Sequence, residues 1–456
     1  MRHRHHKRDL TTTAIIALGF LAAIILGTLL LLLPFSTAEG NSTSVMDALF
    51  TSTTSICVTG LVTVPTYSHW TVFGQAVIAL LAQIGGLGVI TFTILFFVAL
   101  RKRIGLKDRL LIRDAYNLDT IQGLVILVKK IVKGTCIIEG LGALFYMTVW
   151  IPEFGAAGIW KSIFNAISAF CNAGMDIIGP DSMAPYVNNP VINFTTTALI
   201  IIGGIGFPVW WNLLAMFQYR RENCCGFLQA VHHLSLHTKI VLLSTLILLL
   251  SGTLLVLAME YDNPGTLGPL SFGEKIMASF FQSVTMRTAG FLTISQSALR
   301  QGTAFVCCFF MFIGGSPSGT AGGIKTTTAA ILVLTVYSIL RGRNDTEIFG
   351  RRVSENVVRR ALAIFMVSFG VMLLALVILI IVQPGEFIDC LYEVTSAIAT
   401  VGLSRDFTAK LNMAGQIILV ITMYLGRIGP ISLALFFNAK RYVNLVRYPE
   451  ERVGVG

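Results

Sequence analysis

Long apolar stretches alternate with short polar ones along the whole chain, and several of the apolar stretches exceed 18 residues. A helix of that length crosses roughly 30 Å of hydrocarbon, so each of these stretches predicts a membrane-spanning helix. One set of predicted spans covers about 13–34, 123–150, 238–259 and 358–383. A second set, which alternates with the first, covers about 72–100, 190–218, 302–340 and 412–438.

Between the two spans of each pair lies an amphipathic segment of about 12 residues, too short to cross the bilayer. Each segment ends in a polar run with one glycine: Gly60, Gly174, Gly290 and Gly402. These glycines are 114, 116 and 112 residues apart. Ten positions before each stands an aromatic residue: Phe50, Phe164, Phe280 and Tyr392. The even spacing predicts four copies of one unit, each a helix, a half-helix, a polar loop and a helix.

The predicted units occupy 13–113, 114–222, 223–350 and 351–440, between tails at 1–12 and 441–456. Since each unit crosses the membrane twice, all four polar loops open to the same face. The expected fold is an all-α integral membrane protein, with four parallel helix–pore loop–helix repeats around one central pore. It has eight spanning helices and four re-entrant half-helices.

Charge supports this topology. Only 12% of the residues are charged, and the net charge of +11 is concentrated in alternate connections, such as 101–113, 341–360 and 440–452. The connections between them, such as 35–70, are nearly free of Lys and Arg. By the positive-inside rule, both termini of this multi-pass protein face the cytoplasm. The basic bias is therefore a topology signal, and nucleic-acid binding is not expected.

The four polar loops predict an ion pore. Irregular backbone at membrane depth cannot face lipid, because each unsatisfied N–H or C=O group costs several kcal/mol there. Four loops around one axis can instead aim their carbonyls at an ion, and glycine allows the backbone angles that this needs. The candidate filter, with K⁺ held by backbone carbonyls, consists of Cys57, Val58, Thr59, Gly60, Cys171, Asn172, Ala173, Gly174, Arg287, Thr288, Ala289, Gly290, Ala399, Thr400, Val401 and Gly402. Arg287 is expected to point away from the axis, since a cation there would block K⁺.

The second span of the third unit is interrupted by the polar segment 314–328. Glycine pairs and Pro317 cannot continue a helix, so this segment predicts a mobile gate below the filter, although a bend that only serves packing is the alternative. The candidate gate residues are Gly314, Gly315, Ser316, Pro317, Ser318, Gly319, Thr320, Ala321, Gly322, Gly323 and Lys325. When the gate is closed, the Lys325 charge would repel K⁺, unless the side chain only extends to the membrane surface.

Arg427 lies in the middle of an apolar span. A charge at that depth costs about 2.5 kcal/mol or more and marks a functional site by default. Two interpretations stay open: an electrostatic barrier below the filter, or a buried ion pair with Glu139 of the second unit.

The segments 287–291 (RTAGF) and 314–325 (GGSPSGTAGGIK) are similar to motifs of the Trk, Ktr and HKT superfamily of potassium transporters, and the resemblance covers about 13–440. Eight predicted spans without a further N-terminal pair favour the Ktr-type membrane subunit. The resemblance implies a K⁺-transporting homodimer in the cell membrane, an intramembrane gate at 314–328 and a cytoplasmic regulatory ring of separate nucleotide-binding subunits. No nucleotide-binding pattern occurs in this chain. Some plant members that prefer Na⁺ have Ser at the first filter glycine, so Gly60 supports K⁺.

The sequence leaves open whether Na⁺ activates transport or whether transport is coupled to Na⁺ or H⁺. An ion-coupled secondary transporter of a small solute is the alternative function, but such folds carry inverted repeats or at most two broken helices. An enzyme is not expected, because no nucleophile–base or metal-ligand pattern appears. The expected partners are a second copy, the regulatory subunits and membrane lipid.

Overall fold

The computed structural model describes residues 12–88, 91, 124–224, 226–343, 345–429 and 451. Both predicted tails, apart from Thr12 and Glu451, lie outside these residues, as do the predicted span ends 89–100 (apart from Thr91) and 430–438. The boundary predicted at 113–114 also lies outside them.

The regular elements of the described residues are helices, apart from one short β-hairpin. The first part of the chain forms α1 (Thr12–Leu31), a short 3₁₀ helix (Pro34–Ser36), α2 (Val45–Cys57), α3 (Thr66–His69) and α4 (Val72–Leu87). The second part forms α5 (Leu124–Phe154), α6 (Ala157–Cys171), a 3₁₀ helix (Ala184–Tyr186), α7 (Pro190–Gly204) and α8 (Phe207–Asn223).

The third part of the chain forms α9 (Phe227–His232), α10 (Leu236–Glu260), α11 (Phe272–Thr285), α12 (Gln301–Phe312), α13 (Thr326–Leu340) and a hairpin of β1 (Glu347–Ile348) and β2 (Arg351–Arg352). The fourth part forms α14 (Glu355–Val382), α15 (Phe387–Ala399), a 3₁₀ helix (Thr408–Lys410) and α16 (Met413–Ile428). A long helix followed by a shorter one therefore occurs four times.

Four helices of the described residues are long and apolar enough to cross a membrane without a break: Ala14–Leu31, Val125–Phe154, Leu236–Glu260 and Glu355–Val382. Their outward faces carry many exposed apolar side chains, such as Leu26, Leu144 and Leu374, which suits contact with lipid tails. The pair α7 and α8 counts as a fifth span if its bend is included. Eight spans were expected. The other predicted second spans contain the shorter apolar helices α4, α12, α13 and α16, and the predicted ends 89–100 and 430–438 lie outside the described residues, apart from Thr91.

The prediction of one continuous helix over 190–218 was wrong. The chain bends by 98° between α7 and α8, at Gly206, which has φ +91° and ψ 140°. Gly88 at the end of α4 has φ +86° and ψ 137°, and Gly429 at the end of α16 has φ +87° and ψ 130°. These angles are readily accessible to glycine alone, so each glycine ends its helix. A break near or within the second predicted span is therefore found in other units as well as in the third.

The four shorter helices α2, α6, α11 and α15 form the centre of the molecule. In α15, ten consecutive residues from Cys390 to Ala399 are buried. Ser44 caps α2 by accepting a hydrogen bond from the Asp47 amide, and Ser271 and Glu274 form a capping box on α11. Since these helices cannot cross a bilayer, their burial by the longer helices keeps their ends away from lipid.

Long and short helices approach closely where a glycine faces a serine. A Cβ atom added to Gly27 of α1 would overlap Ser52 Oγ of α2 and would lie 2.6 Å from Leu81 Cδ1 of α4. Ser52 in turn donates a hydrogen bond to the Ile24 carbonyl at 2.8 Å. The same arrangement recurs between α10 and α11, where Ser283 donates to the Leu249 carbonyl at 2.9 Å beside Gly252.

Gly27→Val should destabilise the protein by about 3 kcal/mol or prevent folding, because the added methyl groups overlap α2 and α4. Gly140→Val is the matched control, since Gly140 lies within α5 and, among the described residues, no atom of another segment lies within 4 Å of an added Cβ. It should change stability by less than about 1 kcal/mol. Thermal unfolding in detergent measures both, and equal stability of the two variants would contradict this packing.

Candidate functional site

Four glycines from distant parts of the chain meet backbone to backbone. A Cβ atom added to Gly60 would lie 2.7 Å from the Ala173 carbonyl oxygen and 3.0 Å from Gly174 Cα. A Cβ added to Gly174 would lie 2.7 Å from the Ala289 carbonyl oxygen, and one added to Gly290 would lie 2.6 Å from the Val401 carbonyl oxygen. A Cβ added to Gly402 would overlap the Thr59 carbonyl oxygen. The contacts run from the first glycine to the fourth and back to the first, so Gly60, Gly174, Gly290 and Gly402 form a closed ring, here called the glycine ring.

The backbone before each ring glycine has one repeated conformation. The glycines have φ of +97°, +67°, +84° and +96° in chain order. Two positions earlier, Val58, Asn172, Thr288 and Thr400 also have positive φ, between 52° and 66°. Positive φ is unusual for residues with a Cβ and is worse for β-branched ones such as Val and Thr. The surrounding helices therefore impose this conformation on the chain.

Local side chains support three of these turns in equivalent ways. Gly60 N–H donates to Thr54 Oγ1 at 2.9 Å, and Gly402 N–H donates to Ser396 Oγ at 3.0 Å. In the second unit, the residue after the ring glycine, Met175, donates its N–H to Ser168 Oγ at 3.1 Å. Each hydroxyl belongs to the preceding short helix, so the end of that helix holds the turn.

The structure brings all four predicted filter segments together at the glycine ring. Their residues are buried, except that Gly174 is partly exposed. The Arg287 guanidinium is also buried, but it points towards α10, where Nη2 lies 3.4 Å from Thr245 Oγ1. The expectation that Arg287 points away from a pore axis stays a prediction, and the observed contact is with α10.

Two cavities adjoin the ring segments. A cavity of about 310 Å³ is lined by the four ring glycines and by residues that follow them, including Asp176 and Asp406. A cavity of about 430 Å³ is lined by Ile398 and Ala399, by helix ends at 85–88 and 426–429, and by much of the segment 318–325. Of the described residues that line this second cavity, the two that carry a charge, Lys325 and Arg427, are both basic.

The segment 313–325, here called the inner loop, separates α12 from α13 and packs below the ring. Its two ends are joined, since Gly314 N–H donates to the Ile324 oxygen at 2.9 Å and Ile324 N–H donates to the Phe312 oxygen at 3.2 Å. Ser316 N–H donates to the Gly204 oxygen of α7 at 2.9 Å. The predicted gate segment 314–328 is slightly too long, because α13 already begins at Thr326.

Arg427 joins the inner loop to α4. Its Nη1 donates to the Thr320 carbonyl at 2.7 Å, and its Nη2 donates to the Gly85 carbonyl. In the described part of the chain, no carboxylate lies within ion-pair distance of Arg427. Glu139 instead accepts a hydrogen bond from Gln83 Nε2 at 3.2 Å. The ion pair between Arg427 and Glu139, one of the two open interpretations, is therefore not formed.

A second set of repeated positions was not predicted from the sequence. Gly85, Gly203 and Gly426 each lack room for a Cβ, because carbonyl oxygens of Ile56, Phe170 and Ile398 stand against them. The residue after each is Gly86, Gly204 or Arg427, and the corresponding pair in the third unit is Gly314 and Gly315. The signal was present as GGLG at 85–88, GGIG at 203–206 and GRIG at 426–429. Arg427 thus occupies a position that is glycine in the other units.

Comparison with known proteins identifies the family. A family model described as TrkH, cation transport protein, matches residues 2–443. Ktr system potassium uptake protein B of Bacillus subtilis is 40% identical over 447 residues, which cover 98% of this chain and 97% of that protein. Potassium/sodium uptake protein NtpJ of Enterococcus hirae is 38% identical over 465 residues, which cover 100% of this chain and 99% of that protein.

The crystal structure of the potassium transporter TrkH from Vibrio parahaemolyticus has the same fold, with a TM-score of 0.73 at 18% identity; the match covers 95% of this chain and 86% of that one. The resemblance drawn from the segments 287–291 and 314–325 is confirmed, as is the expectation of a transport protein rather than an enzyme. With its long apolar helices, the chain is a multi-pass protein of the cell membrane. It belongs to the TrkH family of cation transport proteins.

Proposed function

We propose that this chain takes up K⁺ across the cell membrane through a pore whose narrowest part is the glycine ring. The observation that carries the proposal is the closed ring of backbone contacts from Gly60 to Gly402. Relatives that match nearly the whole chain are named for potassium uptake, and one of them for potassium and sodium uptake. The two cavities that adjoin the ring segments supply an entrance and an exit.

In this proposal, K⁺ passes through carbonyl oxygens of the segments 57–60, 171–174, 287–290 and 399–402. Neutral carbonyls that replace the water shell suit K⁺, whereas rings of carboxylates would suit divalent cations. The short helices α2, α6, α11 and α15 end next to the ring. Their C-terminal ends carry roughly half a negative charge each, which favours a cation between them.

The four units at 13–113, 114–222, 223–350 and 351–440 each contribute one quarter of this pore. Both tails face the cytoplasm, as the positive charge of the flanking segments favours. With this orientation, the cavity of about 310 Å³ is the outer cavity. Acidic residues such as Asp176 and Asp406 line it and attract cations towards the ring.

The inner loop and Arg427 form the gate. Arg427 and Lys325 place two positive charges in the cavity of about 430 Å³, here called the inner cavity. Arg427 also holds the loop by donating a hydrogen bond to the Thr320 carbonyl. A positive charge in a space of low dielectric constant raises the energy of a passing K⁺. In this proposal the loop stands in its closed position, and opening requires movement of the loop.

We extend the proposal to the assembly. Two relatives are named as Ktr system potassium uptake protein B. By that likeness, this chain is the membrane subunit of a two-component system: a homodimer in the lipid bilayer, with a separate cytoplasmic ring of nucleotide-binding subunits that moves the gate. Na⁺ is the second cation to test, as activator or competitor, because one relative is named for both ions.

Gly60→Ser should lower the preference for K⁺ over Na⁺ by roughly tenfold, because a Cβ at Gly60 overlaps the Ala173 carbonyl and disturbs one quarter of the ring. Gly273→Ser is the matched control, since no atom of another segment in the described part of the chain lies within 4 Å of a Cβ added there. The measurement is flux of K⁺ and of Na⁺ into liposomes that contain the purified protein. A folded Gly60→Ser protein with the selectivity of the wild type would refute the filter assignment.

Arg427→Ala should raise K⁺ flux by roughly tenfold or more, because it removes a like charge from the path and releases the inner loop. Adding Glu139→Gln to this variant should leave its thermal stability unchanged, since the two side chains are not paired. Flux into liposomes without any other protein and thermal unfolding in detergent measure the two effects. A stable Arg427→Ala protein whose flux does not rise would exclude the barrier.

A further inference from the structure

Thr320 of the inner loop is hydrogen-bonded through its N–H, its carbonyl and its hydroxyl. It is fully buried, and its N–H donates to the Gly203 oxygen at 3.2 Å while its carbonyl accepts from Arg427. Its hydroxyl oxygen lies 3.1 Å from the Phe170 carbonyl oxygen and 3.2 Å from Asn172 Oδ1. One side chain of the loop thus contacts the end of α6 and the second ring segment at the same time.

Asn172 depends on this contact. It is 1% exposed, and its Nδ2 has no hydrogen-bond partner among the described residues. If the two ends of the amide are exchanged, the N–H group donates to Thr320 Oγ1, and the Thr320 hydroxyl then donates to Phe170. In the orientation described, both neighbouring oxygens are acceptors, and the single O–H of Thr320 donates to one of them at a time. In the exchanged orientation, the hydroxyl links the Asn172 amide to the Phe170 carbonyl. A buried amide that lost this partner would be left unsatisfied, at a cost of about 1–3 kcal/mol.

The equivalent residues of the other ring segments have no such link. Val58 is apolar, and the buried hydroxyls of Thr288 and Thr400 have no hydrogen-bond partner in the described part of the chain. The inner loop does approach the fourth segment, because Gly322 packs against Thr400 and the Ala399 carbonyl. The only polar side-chain link from the loop to a ring segment, among the described residues, is the one between Thr320 and Asn172.

We propose that Thr320 is a positioning residue for the second filter segment, so that the ion selectivity of the pore depends on the Thr320 hydroxyl. That hydroxyl supports the backbone from Phe170 to Gly174 on the side of the inner loop, and the support is kept while the residues 321–325, which line the cavity of about 430 Å³, move out of the ion path. A pore without this hydroxyl discriminates less sharply between K⁺ and Na⁺. This inference rests on the filter and the gate proposed above.

The test compares three variants of the purified full chain in liposomes. Thr320→Val keeps the shape of the side chain and removes the hydroxyl, so the ratio of K⁺ to Na⁺ flux should fall by fivefold or more. Thr320→Ser keeps the hydroxyl, so the ratio should stay within twofold of the wild type. Ser316→Ala removes the hydrogen bond of 2.9 Å between the Ser316 and Thr326 hydroxyls, which ties the loop to the start of α13. It loosens the same loop without touching the ring, so K⁺ flux should rise while the ratio does not change.

A double-mutant cycle identifies the pair. Asn172→Ala alone should lower the ratio, and adding Thr320→Val to it should lower it little further, because both changes remove the same link. Additive effects of the two changes would overturn the proposal. If Thr320→Val does not fold, Thr320→Ala removes the same hydroxyl and replaces it in every comparison.

Gly60→Ser, measured in parallel, separates this inference from the proposed function. If Gly60→Ser shifts the flux ratio and a folded Thr320→Val does not, the ring is the filter and the role of Thr320 is wrong. If neither variant shifts the ratio, the filter assignment fails, and the inference fails with it. An equal fall of the ratio in Ser316→Ala and Thr320→Val would show that loop mobility alone sets selectivity, and it would also overturn the role of Thr320.

Discussion

The approach of four backbones at Gly60, Gly174, Gly290 and Gly402 is the constraint on which the rest of the molecule depends. At each of these positions an added Cβ would lie within 2.7 Å of the carbonyl oxygen of the next segment. Four helix ends can come so close only if no side chain stands between them, and the turns must adopt positive φ to do so. The short helices, their serine and threonine supports and the enclosing long helices all serve to hold this one contact in place.

A second set of close contacts lies one layer below. Gly85, Gly203 and Gly426 stand against the carbonyls of Ile56, Phe170 and Ile398, so the second helix of these units presses on the short helix that precedes it. Beyond this layer the helices break at glycines with nearly identical angles. The breaks leave space under the ring, and the inner loop and Arg427 fill part of that space.

The sequence predicted those features of the fold that show as a periodic pattern of residues. The long apolar helices and the four evenly spaced glycines were visible as hydropathy and register, because both follow from the thickness of the bilayer and from repetition. The bend at Gly206 was missed, because apolar residues lie on both sides of it and hydropathy does not change where a buried helix turns. The partners of Arg427 could not be predicted either. They are the carbonyls of Thr320 and Gly85, and every residue has a carbonyl, so only the fold selects among them.

The glycine ring is built from one chain rather than from four identical ones, and this determines how the protein can change. In an assembly of four identical chains, every substitution appears in all four quadrants at once, and a harmful side chain is harmful four times. Here Val58, Asn172, Thr288 and Thr400 share one backbone position, yet each can be altered alone. Gene duplication followed by divergence could therefore place a polar amide in the quadrant beside the inner loop and leave the opposite quadrants unchanged. Each such step changes one quarter of the ring and leaves the other three segments as they were.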